Sequence, residues 1–193
     1  SKDKILRPLV AARVRNPKTG KAEEVFALVD TGANRDYIST ELAERLALEV
    51  NYSTLNLKTA TESSVGIRPM ADVILESLEG EYRAEVSDVL IGDFPCKDSS
   101  LAPGKRDWSA YEHLKGIQFT DIEAEVEIII SSGHTDATIW TDVRRPYGGG
   151  DGEGEEEEEE DKGKKRRGRR RGSKGQIATK NVFGWTLHGP DGT

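Results

Sequence analysis

Asp30-Thr31-Gly32-Ala33 follows directly on the apolar run Val25-Phe26-Ala27-Leu28-Val29. That pattern puts a carboxylate at the end of a buried strand, on a turn that a glycine keeps tight. A lone carboxylate is a poor catalyst of hydrolysis, but a pair of them is a good one. Two carboxylates close enough to share one proton cannot both ionise easily, so one pKa falls and the other rises. The shared proton belongs to the pair. The ionised member takes a proton from water as general base, and the protonated member polarises the scissile carbonyl and later helps protonate the leaving amine. The chain carries one Asp-Thr-Gly, not two. At 193 residues it is too short to hide a second lobe with a second such motif. One such chain therefore offers one carboxylate of the pair.

The neighbouring residue types suit this chemistry. Gly32 lets the backbone approach the carboxylates without a Cβ clash. Thr31 is expected to turn its hydroxyl inward and brace the turn against its partner. Ala33 is small enough to leave its backbone N–H near the carboxylate. As a bare tripeptide Asp-Thr-Gly is equally an ordinary turn, since Asp and Gly are common there. What surrounds it strengthens the signal. Tyr37-Ile38 is apolar, Ser39 and Thr40 are N-cap residues, and Glu41 to Leu48 reads as a short helix with Leu42 and Leu46 on one face. Glu41 falls in the first turn, where the helix dipole favours an acid.

The remaining pattern is β. Leu9 to Arg15 and Val25 to Val29 read as strands joined by the turn Asn16-Pro17-Lys18-Thr19-Gly20. Leu55 to Thr59, Met70 to Leu78, Tyr82 to Ile91 and Glu125 to Ile130 follow. Several short strands with one short helix predict an all-β, barrel-like domain over residues 1–147.

Residues 148–176 break the pattern. Gly148-Gly149-Gly150 leads into an acidic block ending at Asp161, then a basic block from Lys162. The segment holds nine acids and nine bases, so the chain's net charge of −7 sits on the rest. With no large apolar residue it cannot offset its conformational entropy, and it reads as a disordered acidic and basic linker. A loosely self-neutralising linker is the plainest account of it. The cluster Lys164, Lys165, Arg166, Arg167, Arg169, Arg170 and Arg171 is suited to weak nonspecific contact with nucleic-acid phosphates. It lacks aromatic residues to stack on bases, and the acidic block competes for the same cations. Nuclear targeting or contact with a host protein is the third reading.

Four segments together resemble the aspartic peptidase of the BEL/Pao retrotransposons, a retropepsin-like family. They are Arg13 to Gly20; Leu28 to Ala33 with Tyr37-Ile38 and Glu41-Leu42-Ala43; Trp108 with His113-Leu114-Lys115-Gly116-Ile117; and Phe183-Gly184-Trp185-Thr186-Leu187-His188-Gly189-Pro190. The resemblance implies a retropepsin-like closed barrel and a catalytic Asp30 set in the loop Thr31, Gly32 and Ala33. It also implies a homodimer in which the two Asp30 side chains meet, and an endopeptidase that processes a retrotransposon polyprotein. It makes Thr59, Ala60 and Thr61 part of a substrate-covering flap, although an ordinary exposed hairpin would look the same. It makes residues 177–193 a segment leading toward a reverse transcriptase. One departure stands out. Ser131 occupies the position of a usual glycine after Ile128-Ile129-Ile130, with Gly133 two places later. A serine there would strain the loop or shift its register, and the alternative reading is an inactive dimerisation module of a degenerate retroelement.

Other chemistries find little footing. The single cysteine, Cys96, allows neither an intrachain disulfide nor a cysteine metal site, and reads as a small semi-buried residue. His113, His134 and His188 lack ligand spacing, so neither metal nor other cofactor is expected. Ser131-Ser132 near His134 and Asp136 lacks the Gly-x-Ser-x-Gly elbow of a serine hydrolase. The glycines at 148–150 lack the lysine and the strand-to-helix context of a phosphate loop. Trp108 and Trp185 read as packing anchors. No run is long enough to span a membrane, and Ser1 to Lys4 lacks an apolar signal core. The start without Met suggests excision from a longer chain. An intracellular, cytoplasmic setting is expected, with nuclear or particle-associated settings as alternatives.

Overall fold

A computed structural model describes residues 5–58, 63–94, 97–146 and 175–190. The strands are β1 (Ile5–Leu6), β2 (Leu9–Arg15), β3 (Ala22–Asp30), β4 (Tyr37–Ser39), β5 (Asn51–Lys58), β6 (Ser63–Glu76), β7 (Arg83–Gly92), β8 (Val126–Ser131), β9 (Asp142–Arg144), β10 (Ile177–Asn181) and β11 (Gly184–Pro190). Two short helices, α1 (Thr40–Arg45) and α2 (Thr135–Thr138), complete the regular elements together with two 3₁₀ turns. The chain is all-β, as its alternating pattern implies. The second helix, a single turn, is too short to leave a period in the sequence.

Seven strands run in the order β2-β3-β8-β4-β7-β6-β5, and β2 also pairs with β6. That extra pairing closes β2, β3, β8, β4, β7 and β6 into a six-stranded barrel. Strand β5 extends β6 as an outlying hairpin arm. The apolar run of β3 is continuous because both of its faces are covered. Val25, Ala27 and Val29 point into the barrel interior with Val14, Val73, Val89, Ile128 and Ile130. Phe26 points outward and packs under the segment that joins β7 to β8, against Leu9, Phe94, Ala102 and Val126.

Helix α1 is capped by Ser39, whose Oγ accepts from the Leu42 N–H. It ends earlier than the sequence pattern suggests. Ala47 sits in the left-handed region at φ 51°, and its amide bonds back to the Glu44 carbonyl, so the chain turns before Leu48. The carbonyls of Leu46 and Ala47 are taken up by Asn16 Nδ2, while Asn16 Oδ1 accepts from Lys18 and Thr19 and shapes the β2–β3 turn.

The last described segment is part of this fold. Strands β10 and β11 form a hairpin that lies between β1 and β9 in a second, four-stranded sheet. Ala178 and Leu187 are fully buried against Leu6, Trp108 and Leu114. Trp108 is an anchor, its Nε1 donating to the Pro103 carbonyl. Phe183 meets Tyr82 edge-on, with centroids 5.1 Å apart, at the margin of the barrel core. Residues 148–174 of the charged segment and Cys96 lie outside the described residues. Gln176 is only 3% exposed and its carbonyl lies 3.0 Å from His113 Nε2, so the linker expected over 148–176 ends before it.

Burial holds the His188 imidazole below its ordinary value of 6.5, beside the Thr179 hydroxyl at 2.7 Å. The folded chain thus keeps His188 neutral, and the unfolded chain takes up its proton first as pH falls. His188 contributes its full stabilisation above about 6.5 and progressively less as pH drops toward its lowered folded value. In thermal unfolding measured from pH 7 downward, His188→Asn is expected to lose stability less steeply than the wild type.

Candidate active site

The topology dictates where Asp30 goes. Strands β3 and β8 run parallel, with Asp30 in register with Ser131, and β4 flanks β8 on its other side, antiparallel. The chain from Asp30 to Asp36 must therefore arch over the end of β8. Thr31 and Gly32 at the crest are exposed, and Asp30 and Ala33 are half-buried. The Gly32 N–H donates to Asp30 Oδ1 at 2.9 Å, and the Ala33 N–H donates to the Asp30 main-chain carbonyl at 3.1 Å. The amide nearest the carboxylate is thus that of Gly32 rather than Ala33. A Cβ on residue 32 would lie 3.2 Å from Asp30 Oδ1, so the glycine serves a close approach rather than a left-handed backbone.

The arch is fastened to the β8–α2 turn. The Ser132 N–H and Oγ both donate to the Ala33 carbonyl, at 3.0 and 2.9 Å. Asp36 Oδ1 accepts from the Ser131 N–H at 2.8 Å, and Asp36 Oδ2 lies 2.8 Å from His134 Nε2. Sequence reading had no signal for this pairing, because Asp36 and His134 are 98 residues apart and match no motif. The His134 Nε2 faces a carboxylate and Ser131 Oγ accepts from the Gly133 N–H, so this corner is not a serine nucleophile with its base.

Ser131 is accommodated without backbone strain. Among the described residues the only non-glycine positions with positive φ are Ala47 and Asp88, so Ser131 adopts an ordinary conformation. The register does not slip either, since Ser131 itself faces Asp30. Ser131→Gly is expected to cost about 1 kcal/mol, through the lost bond to Gly133 and added unfolded-state entropy. Denaturant unfolding of the two forms checks it.

Tyr37, at the far end of the arch, donates to the Asp93 carbonyl at 3.2 Å. Burial, and then the Asp93 charge, push its phenol up, while the nearby Arg68 pulls it down. The β5–β6 arm that carries Arg68 also exposes Val65 and Ile67, at 70% and 68%. The tip residues Thr59, Ala60 and Thr61 lie outside the described residues.

A cleft of about 410 Å³ lies among Trp108, Leu114, Ile117 and Phe119, and none of residues 30–36 lines it. Within one chain Asp30 is half-buried beside the exposed Thr31 and Gly32. Among the described residues no cluster of His, Cys, Asp and Glu is arranged to hold a metal, and no helix is long and apolar enough to cross a membrane. Comparison with protein-family models, with curated proteins and with solved structures gave no match.

Proposed function

We propose that the chain is a retropepsin-like aspartic endopeptidase of the BEL/Pao type, active as a homodimer with Asp30 contributed by each copy. The observation that carries this reading is the placement of Asp30. It caps the buried strand β3 of a closed barrel, on an exposed Gly turn, with its carboxylate open to an approaching partner. Two such arches brought together about a two-fold axis bring two carboxylates to the distance at which they share a proton. A peptide lying extended between the copies would add as a strand beneath the β5–β6 arms, its main-chain groups recognised by hydrogen bonding. The natural substrate on this reading is a retroelement polyprotein. Binding of a statine-type transition-state mimic at mildly acidic pH, together with inhibition of peptide cleavage by the same compound, tests the proposal. Cleavage that the mimic leaves untouched would refute it.

A further inference from the structure

The Asp36–His134 pair has no part in the two-carboxylate chemistry, yet it sits where the two loops of the site meet. Its side chains are largely buried, 12% and 17% exposed. One Asp36 oxygen takes the Ser131 amide and the other takes the His134 ring. A carboxylate can only accept, so the imidazole carries its proton on Nε2. Ser131 is the residue in register with Asp30, and Ser132 holds the Ala33 carbonyl of the arch by two hydrogen bonds. The His134 amide closes the turn by donating to the Ser131 carbonyl at 3.2 Å.

We propose that Asp36 and His134 are positioning residues: the pair locks the Ser131–Gly133 turn onto the end of the Asp30 arch and so fixes the height and tilt of the Asp30 carboxylate. Neither side chain touches the substrate. The inference rests on the protease reading for its kinetic consequence, but not for its structural one. Holding reactive groups to better than an ångström matters for catalysis, since a misplacement of that size costs on the order of 100-fold.

Hydrogen exchange of the full chain, resolved by NMR, tests the lock without reference to activity. In Asp36→Ala the Ser131 amide loses its acceptor, and its exchange is expected to quicken at least about tenfold while the barrel strands stay protected. Asp36→Asn keeps an acceptor for Ser131 and can donate to the other imidazole tautomer, so it is expected to restore much of the protection. Kinetics on dye-quenched, unfolded casein supply the second readout. Asp36→Ala is expected to lower kcat about 100-fold with little change in KM, and Asp36→Asn to recover much of that loss. If Asp36→Ala does not fold, His134→Ala takes its place, with faster Ser131 exchange and reduced kcat expected. Wild-type exchange at Ser131 in Asp36→Ala or in its His134 substitute, or wild-type kcat there, overturns the lock. A wild-type chain that cleaves nothing, alongside variants that exchange faster, overturns the protease reading and leaves the lock standing.

Discussion

Asp30→Asn is expected to abolish peptide cleavage, with kcat falling by about 10⁴-fold and the fold left intact. The amide matches the carboxylate in shape and still offers an oxygen to the Gly32 N–H, which lies 2.9 Å from Asp30 Oδ1. What it cannot do is hold a titrating proton in common with a partner. A dyad of two amides has no base to activate water and no acid to protonate the leaving amine. The variant should elute and melt like the wild type, so that the loss is chemical rather than structural. Mixed with wild-type chains it should also act as an inhibitor, because heterodimers carry a single competent carboxylate. Background cleavage equal in mutant and wild type would remove the enzyme reading altogether.

The largest structural effect is expected at Arg45. Its guanidinium grips Glu127 with two bonds, of 3.1 and 2.6 Å, and Glu23 with a third of 2.8 Å. Glu127 lies on β8, the strand that leads to Ser131, and its side chain is only 5% exposed. The Ser39 hydroxyl links the two ends: it donates to Glu127 and accepts from Leu42 at the start of α1. The hydrogen bonds that the Arg45 guanidinium donates to Glu127 are the main cause that holds it well above its ordinary value. Arg45→Met would strand a buried carboxylate with Ser39 as its remaining partner, at a cost of about 3 kcal/mol. For a chain of this size that corresponds to a fall in Tm of about 9 °C. Because a buried pair replaced whole by apolar residues is often nearly neutral, Arg45→Met/Glu127→Leu should recover much of the loss. A melting temperature for Arg45→Met within a degree or two of the wild type would show that Glu127 is satisfied without it.

Both effects turn on residues whose legibility in sequence differed sharply. Asp30 and its turn stood out because a buried strand ending in a glycine turn is a local pattern. The strands β2, β3, β6, β7 and β8 were visible for the same reason, each being long enough for its alternation or apolar run to show. Strands β1, β4 and β9 have two or three residues each and leave no period to read. The hairpin β10–β11 was legible only as a distinctive motif. Its place between β1 and β9 depends on partners more than thirty positions away on one side and at the opposite end of the chain on the other. Helix α1 was foreseen but overrun at its C-terminus. There an alanine, not the glycine that usually marks a stop, takes the left-handed conformation. To any local pattern Glu127 is one more polar position in a strand, and Asp36 one more loop acid. Their roles come from long-range pairing in the folded barrel, and no local pattern encodes it. The concern over Ser131 came from the same limitation. Whether a position needs glycine depends on its φ and on how closely its neighbours approach, and φ at residue 131 is ordinary.

On the protease reading, catalysis requires two copies. Cleavage rate per chain, measured against chain concentration on one quenched peptide pool, tests it most directly. The per-chain rate is expected to rise in proportion to concentration while dimers are scarce and then to level off as they saturate. A per-chain rate that stays constant on dilution to the detection limit, or stays at zero throughout, would contradict it.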